Sequence, residues 1–87
     1  SYNKGGFMNI DELRKAQRLA LNKLLSLYGY SKQNMAVGLG VKPNVVYGWF
    51  GRGRISAHMA IKAEVVTGGG IKKQELRPDV LEWVIEE

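Results

Sequence analysis

The chain has no cysteine, one histidine and only two prolines. Without cysteine there is neither a disulfide framework nor a thiolate metal site, and a cytoplasmic protein is the simplest reading. His58 has no second metal ligand or nucleophile partner close by in sequence, so a surface or half-buried structural role outweighs a catalytic one. No uncharged stretch approaches the roughly 20 residues of a membrane span, and the opening SYNKGGF lacks the basic-then-apolar order of a signal peptide. Residues 1–8 read as a flexible leader, with Met8 a candidate natural start. At 87 residues the chain forms one domain, 9–87, in which most apolar side chains are needed for packing. Little remains for a buried catalytic cavity, so no enzyme activity, cofactor or metal is expected.

Acid is also missing over a long internal stretch. Between Leu13 and Ala63 there are Arg14, Lys15, Arg18, Lys23, Lys32, Lys42, Arg52, Arg54 and Lys62, and no Asp or Glu. From Glu64 onward the balance reverses, with Glu64, Glu75, Asp79, Glu82, Glu86 and Glu87 against Lys72, Lys73 and Arg77. A chain polarised in this way suits a polyanionic partner for its first two thirds, because phosphate binding draws on neutralised charge and released counterions. An ordinary solvated face is the plain alternative.

The apolar pattern is helical throughout. Asn9 and Glu12 form a capping box, and Met8 with Leu13 a hydrophobic staple. Leu13, Ala16, Ala20, Leu24 and Leu27 then keep helical spacing to about Tyr28, where Gly29 supplies a left-handed stop. Ser31 caps a short second helix that buries Met35, Ala36 and Leu39. Gly40 stops that helix, and Pro43 starts a third, at the position where its missing N–H has no partner to lose. Helix 3, about Pro43 to Phe50, turns Val46 and Trp49 inward and leaves Lys42, Asn44 and Tyr47 on the other side. A fourth helix follows Ser56, with Met59, Ala60, Ala63 and Val66 packing, and ends at Gly68. TGGGIKKQEL reads as a turn and a short extended piece around Ile71. A final helical turn or two after Pro78 places Val80, Leu81, Trp83 and Val84 on one side. The fold class is therefore all-α, with five helices.

Two short helices joined by a glycine-containing turn, the second opening with small or polar side chains, make a helix-turn-helix unit at about 32–51. Leu39-Gly40-Val41, Val46, Trp49, Gly53-Arg54-Ile55, Thr67-Gly68-Gly69-Gly70-Ile71 and Leu76-Arg77-Pro78-Asp79 come in an order and at gaps similar to those of the compact Cro-like phage regulators. The resemblance is strongest to their antitoxin-like prophage branch and covers roughly 13–79. Lys42 stands where that family has a Ser or Thr cap, and Ser56 where it has proline. The resemblance implies a lambda-repressor-like (Cro/CI type) domain that represses transcription by occluding an operator, often as a homodimer, in a phage or prophage setting.

In such a complex Asn44 and Tyr47 would reach base edges, with Lys42 at the groove margin, since Asn pairs with adenine and Lys reaches guanine acceptors. Tyr47 can equally touch phosphate, a thymine methyl or only the neighbouring helix. Lys32 and Gln33 at the start of helix 2, with Arg52 and Arg54 after helix 3, are placed for phosphate, which sets register without reading sequence. The expected partner is double-stranded DNA, with no membrane association. The competing class is a protein-interaction module, or an antitoxin whose acidic, Trp83-bearing C-terminal segment binds a partner protein. An RNA-binding role for GRGR is a weaker third option. Trp83 is either a lid on the core or part of a dimer contact. Gly38, inside helix 2, either has a packing reason or lets a phosphate come close. GLGVKP begins like a dinucleotide fingerprint but has Pro43 in place of the third glycine and no strand before it.

Overall fold

The computed structural model describes residues 9–80 and Trp83; among them there are five helices and no strand. In chain order they are α1 (Ile10–Ser26), α2 (Lys32–Leu39), α3 (Pro43–Arg52), α4 (Ala57–Val66) and α5 (Lys73–Leu76). The leader, Met8 with its staple, Leu81 and Val84 lie outside the described residues.

The capping box at α1 is complete. The Glu12 N–H donates to Asn9 Oδ1 at 2.8 Å, and the Asn9 N–H donates to Glu12 Oε1 at 3.4 Å. Ala20, Leu21, Leu24 and Leu25 form the buried stripe, while Leu13 and Ala16 are half-buried. The helix stops at Ser26, two residues before the expected Tyr28, because residues 27–30 tighten into turns that end in two left-handed residues, Gly29 and Tyr30. Leu27 is thereby carried off the helical stripe and left 47% exposed.

Ser31 caps α2 by accepting the Asn34 N–H at 3.1 Å, and Met35, Ala36 and Leu39 are fully buried. Gly40 takes φ 72, which lets the Val41 N–H reach back to the Ala36 carbonyl at 3.0 Å and closes the helix. After two intervening residues Pro43 opens α3, so the chain stops and restarts at 40–43 as expected. Arg52 belongs to α3 as its last residue; the left-handed Gly53 follows it as C-cap. Ser56 caps α4 through the Met59 N–H at 3.2 Å. Ala60 and Ala63 are buried and Met59 packs against the core, but Val66, expected to pack, is 44% exposed at the helix end.

The segment read as extended around Ile71 is instead a turn followed by the one-turn helix α5. Lys72 provides no side-chain cap; Glu64 of α4 supplies it, accepting the Lys73 N–H at 2.8 Å. Ile71 and Leu76 are both fully buried on either side of this turn. In the core α2 packs on α3 and α4, α5 on α1 and α4, around Leu21, Leu24, Met35, Leu39, Val46, Trp49, Ile55, Ile71 and Leu76. Trp83 is 7% exposed and its Nε1–H donates to the Arg77 carbonyl at 2.9 Å, so it is buried against its own chain.

Candidate nucleic-acid interface

Helix α3 is held by Val46 and Trp49, which are 0% and 2% exposed, with Phe50 half-buried beside them. Burial of one apolar side fixes which residues point away, since side chains three and four apart share a face. Lys42 and Asn44 are exposed, and Tyr47 is 51% exposed. Lys42 is the N-cap by position but makes no side-chain capping bond. The start of α3 therefore carries no acceptor side chain of its own, and its partial positive charge adds to that of Lys42. Beyond Tyr47 the face is bare at Gly48 and Gly51. A Cβ on Gly51 would meet nothing within 4 Å, and one on Gly48 would meet only the Arg52 guanidinium, its Nη1 at 3.3 Å.

The start of α2 adjoins this face. The Lys32 ammonium lies 5.4 Å from the Tyr47 ring centroid and 4.9 Å from that of Phe50, a cation held over two aromatic faces. Gln33 next to it is exposed. Tyr47 thus touches the neighbouring helix while keeping half its surface open. At the other end of α3, Arg52 and Arg54 are exposed and line a concavity of about 350 Å³ together with Gly53 and Arg14, Gln17 and Arg18 of α1. Of the nine cations between Leu13 and Ala63, Lys23 is paired, with Glu75 at 3.0 Å; the other eight make no ion pair among the described residues.

Arg14 and Arg18 are not among the contacts expected from the sequence, although their i, i+4 spacing on α1 is a legible signal. Gly38 is accounted for by packing. A Cβ there would collide with Tyr28 Cε1 and stand 2.9 Å from Cζ and Oη. Burial raises the pKa of the Tyr28 hydroxyl.

The Arg77-Pro78-Asp79 motif has a structural task. Arg77 Nε and Nη2 donate to the two Asp79 carboxylate oxygens at 2.8 and 2.9 Å, and Nη1 donates to the Ile55 carbonyl at 3.1 Å. Gln17, the buried polar residue of α1, donates to Asp79 Oδ1 at 3.1 Å. The clamp joins the C-terminal segment to α1 and to the α3–α4 turn. The Arg77 hydrogen bonds hold the Asp79 carboxyl below the usual carboxylate range, and the same contact raises the guanidinium. His58 is exposed on α4, and no cluster of three His, Cys, Asp or Glu able to hold a metal occurs among the described residues. No described helix is long and apolar enough to cross a membrane.

A family described as bacterial toxin YdaS matches residues 21–85, about three quarters of the chain and the whole of this site except Arg14, Gln17 and Arg18. The chain belongs to the YdaS family. The family is prophage-encoded and toxin/antitoxin-like, which agrees with the prophage setting but is not specific for a Cro-like repressor. No curated protein and no solved structure gives a significant match.

Proposed function

We propose that the protein is a sequence-specific double-stranded DNA-binding regulator of the Cro-like kind, which lays α3 in the major groove and represses by occluding an operator. The observation that carries this reading is the two-sidedness of α3. Val46 and Trp49 are buried in the scaffold, while Lys42, Asn44 and Tyr47 stand exposed in a stretch of chain without any acid. Asn44 and Tyr47 read base edges, with Lys42 at the groove margin. Lys32, Gln33, Arg52 and Arg54 hold phosphates and set the register. Binding as a homodimer places two α3 helices on half-sites roughly 34 Å apart.

A second reading, a protein-interaction module or antitoxin whose C-terminal segment binds a partner protein, is compatible with the toxin/antitoxin-like family. Against it stands Trp83, the aromatic anchor such a segment would offer, which is buried against its own chain.

Selection from random duplex DNA separates the two. Recovery of a short motif whose affinity falls steeply with salt supports the regulator, and the absence of enrichment supports the protein-partner reading. Asn44→Ala should relax preference at particular base pairs at a cost of about 1–3 kcal/mol. Arg54→Gln should weaken all sequences alike and lower the salt slope by about 1. An unchanged motif with Asn44→Ala would remove Asn44 from the reading head.

A further inference from the structure

The concavity at the C-terminal end of α3 has a lining unlike the rest of the surface. Arg14 and Arg18 come from α1, Arg52 and Arg54 from the end of α3 and the turn after it, with Gln17 and Gly53 between them. No carboxylate lines it, and none of the four arginines makes an ion pair among the described residues. The carboxylate that feels Arg54, Asp79, is already engaged through both oxygens by Arg77 and by Gln17. Gly53 is buried with φ 84, and a Cβ there would stand 2.8 Å from Arg18 Cζ and 2.9 Å from Nη2. The bare glycine lets the Arg18 guanidinium lie across the turn, beside its neighbours. Four like charges around about 350 Å³ repel one another, and an anion seated among them relieves that repulsion. Guanidinium forks suit a phosphate in particular, because they meet its oxygens two at a time.

We infer that this concavity is a phosphate-binding site, built by Arg14, Arg18, Arg52 and Arg54, and that the phosphate it takes belongs to the DNA backbone flanking α3. Only the second half rests on the DNA-binding reading above. A phosphate on a free small molecule offers the same chemistry, and the experiment tells the two sources apart. It also widens the contact surface from α2 and α3 to α1, which lies partly outside the segment shared with the family.

Two measurements are made on the full chain. The first follows the arginine Nε–Hε resonances by NMR while inorganic pyrophosphate is added. The second follows affinity against salt concentration on the selected duplex, for wild type and for Arg14→Gln/Arg18→Gln. The site predicts saturable shifts of the Arg18 and Arg54 signals. It also predicts that the double variant loses about 0.9 from the salt slope, which is roughly eightfold in affinity at 0.1 M salt, with the selected motif unchanged. Saturable pyrophosphate shifts in a protein that binds no duplex would overturn the DNA reading and keep the site, assigning it to a free phosphorylated ligand. Saturable shifts with an unaltered slope in the double variant would overturn the backbone assignment alone. No shifts together with an unaltered slope would overturn the site. If the double variant does not fold, Arg14→Gln alone, on an exposed position of α1, carries the same test.

Discussion

Gly38→Ala sets two effects of known sign against each other. Gly38 lies inside α2 without a left-handed φ, so alanine fits the backbone and should favour the helix by about 1 kcal/mol. The new methyl, however, takes the space of the Tyr28 ring, with Cζ and Oη only 2.9 Å away. Tyr28 is half-buried and packs on the core where the α1–α2 turn meets α2. Forcing a methyl into an occupied site costs about 1–3 kcal/mol. At the middle of that range the packing loss exceeds the helical gain, and Gly38→Ala should destabilise by about 1 kcal/mol, lowering Tm by about 4–8 °C in a domain of this size. With Tyr28→Ala the obstacle is gone, and the same Gly38→Ala change should stabilise by about 1 kcal/mol. A urea-denaturation cycle on the four proteins, read by helical circular dichroism, should therefore return a coupling of about 2 kcal/mol with a reversal of sign. Stabilisation in both backgrounds would refute the ring-over-glycine contact. Duplex affinity of folded Gly38→Ala should be unchanged, and a large loss would revive a close phosphate approach at this glycine.

The Arg77–Asp79 clamp gives a pH signature. Because the folded carboxyl titrates below its unfolded value near 4, its contribution is present above that pH and is lost as pH falls through the folded value. Asp79→Asn should be less stable than wild type at pH 7 by about 1–3 kcal/mol, and the gap should close as thermal melts are taken below about pH 4; a constant gap would refute the pairing. Gly51→Ala, with nothing within 4 Å of the new methyl, should stabilise the free protein by about 1 kcal/mol. If α3 enters the major groove along this face, the same change should weaken binding to the selected duplex, and equal or tighter binding would argue against that approach.

Local signals gave the elements they govern. The Asn9/Glu12 box, the Ser31 and Ser56 caps, Gly40 and Pro43 act within four residues of where they sit, and each marks a boundary that can be read along the chain. The inward pair Val46 and Trp49 followed from spacing alone. What could not be read was set by partners distant in sequence. The cap of α5 comes from Glu64, nine residues before the N–H it accepts. The Arg77 fork reaches Ile55, and the Asp79 carboxylate it holds also takes a hydrogen bond from Gln17 of α1. The arginine concavity joins residues 14 and 18 to residues 52 and 54. Exposure of Lys42 and Asn44 was predictable from the face they share, whereas the stacking of Lys32 on Tyr47 and Phe50 needed the α2–α3 packing itself.

Departures from good helix design are not scattered evenly over this molecule. Helix α1 has a full capping box, α2 and α4 have serine caps, and the glycine within α2 is crowded by the Tyr28 ring. Helix α3 is different. It starts on an uncapped lysine, where Ser or Asp would contribute about 1 kcal/mol, and carries Gly48 in its interior and Gly51 in its last turn, which cost up to about 1 kcal/mol each relative to alanine. A domain of this length has about 4–13 kcal/mol of total stability, so a sum of up to about 3 kcal/mol on one ten-residue helix is substantial. Nothing inside the protein demands it: open space surrounds Gly51, and only the movable end of Arg52 covers Gly48. Unpaired arginines add their mutual repulsion at the same end of the helix. Local rules tend to fail where a surface is shaped for something outside the fold. A partner that approaches α3 closely and carries dense negative charge supplies a single reason for the missing side chains, the lysine at the cap and the unneutralised cations alike.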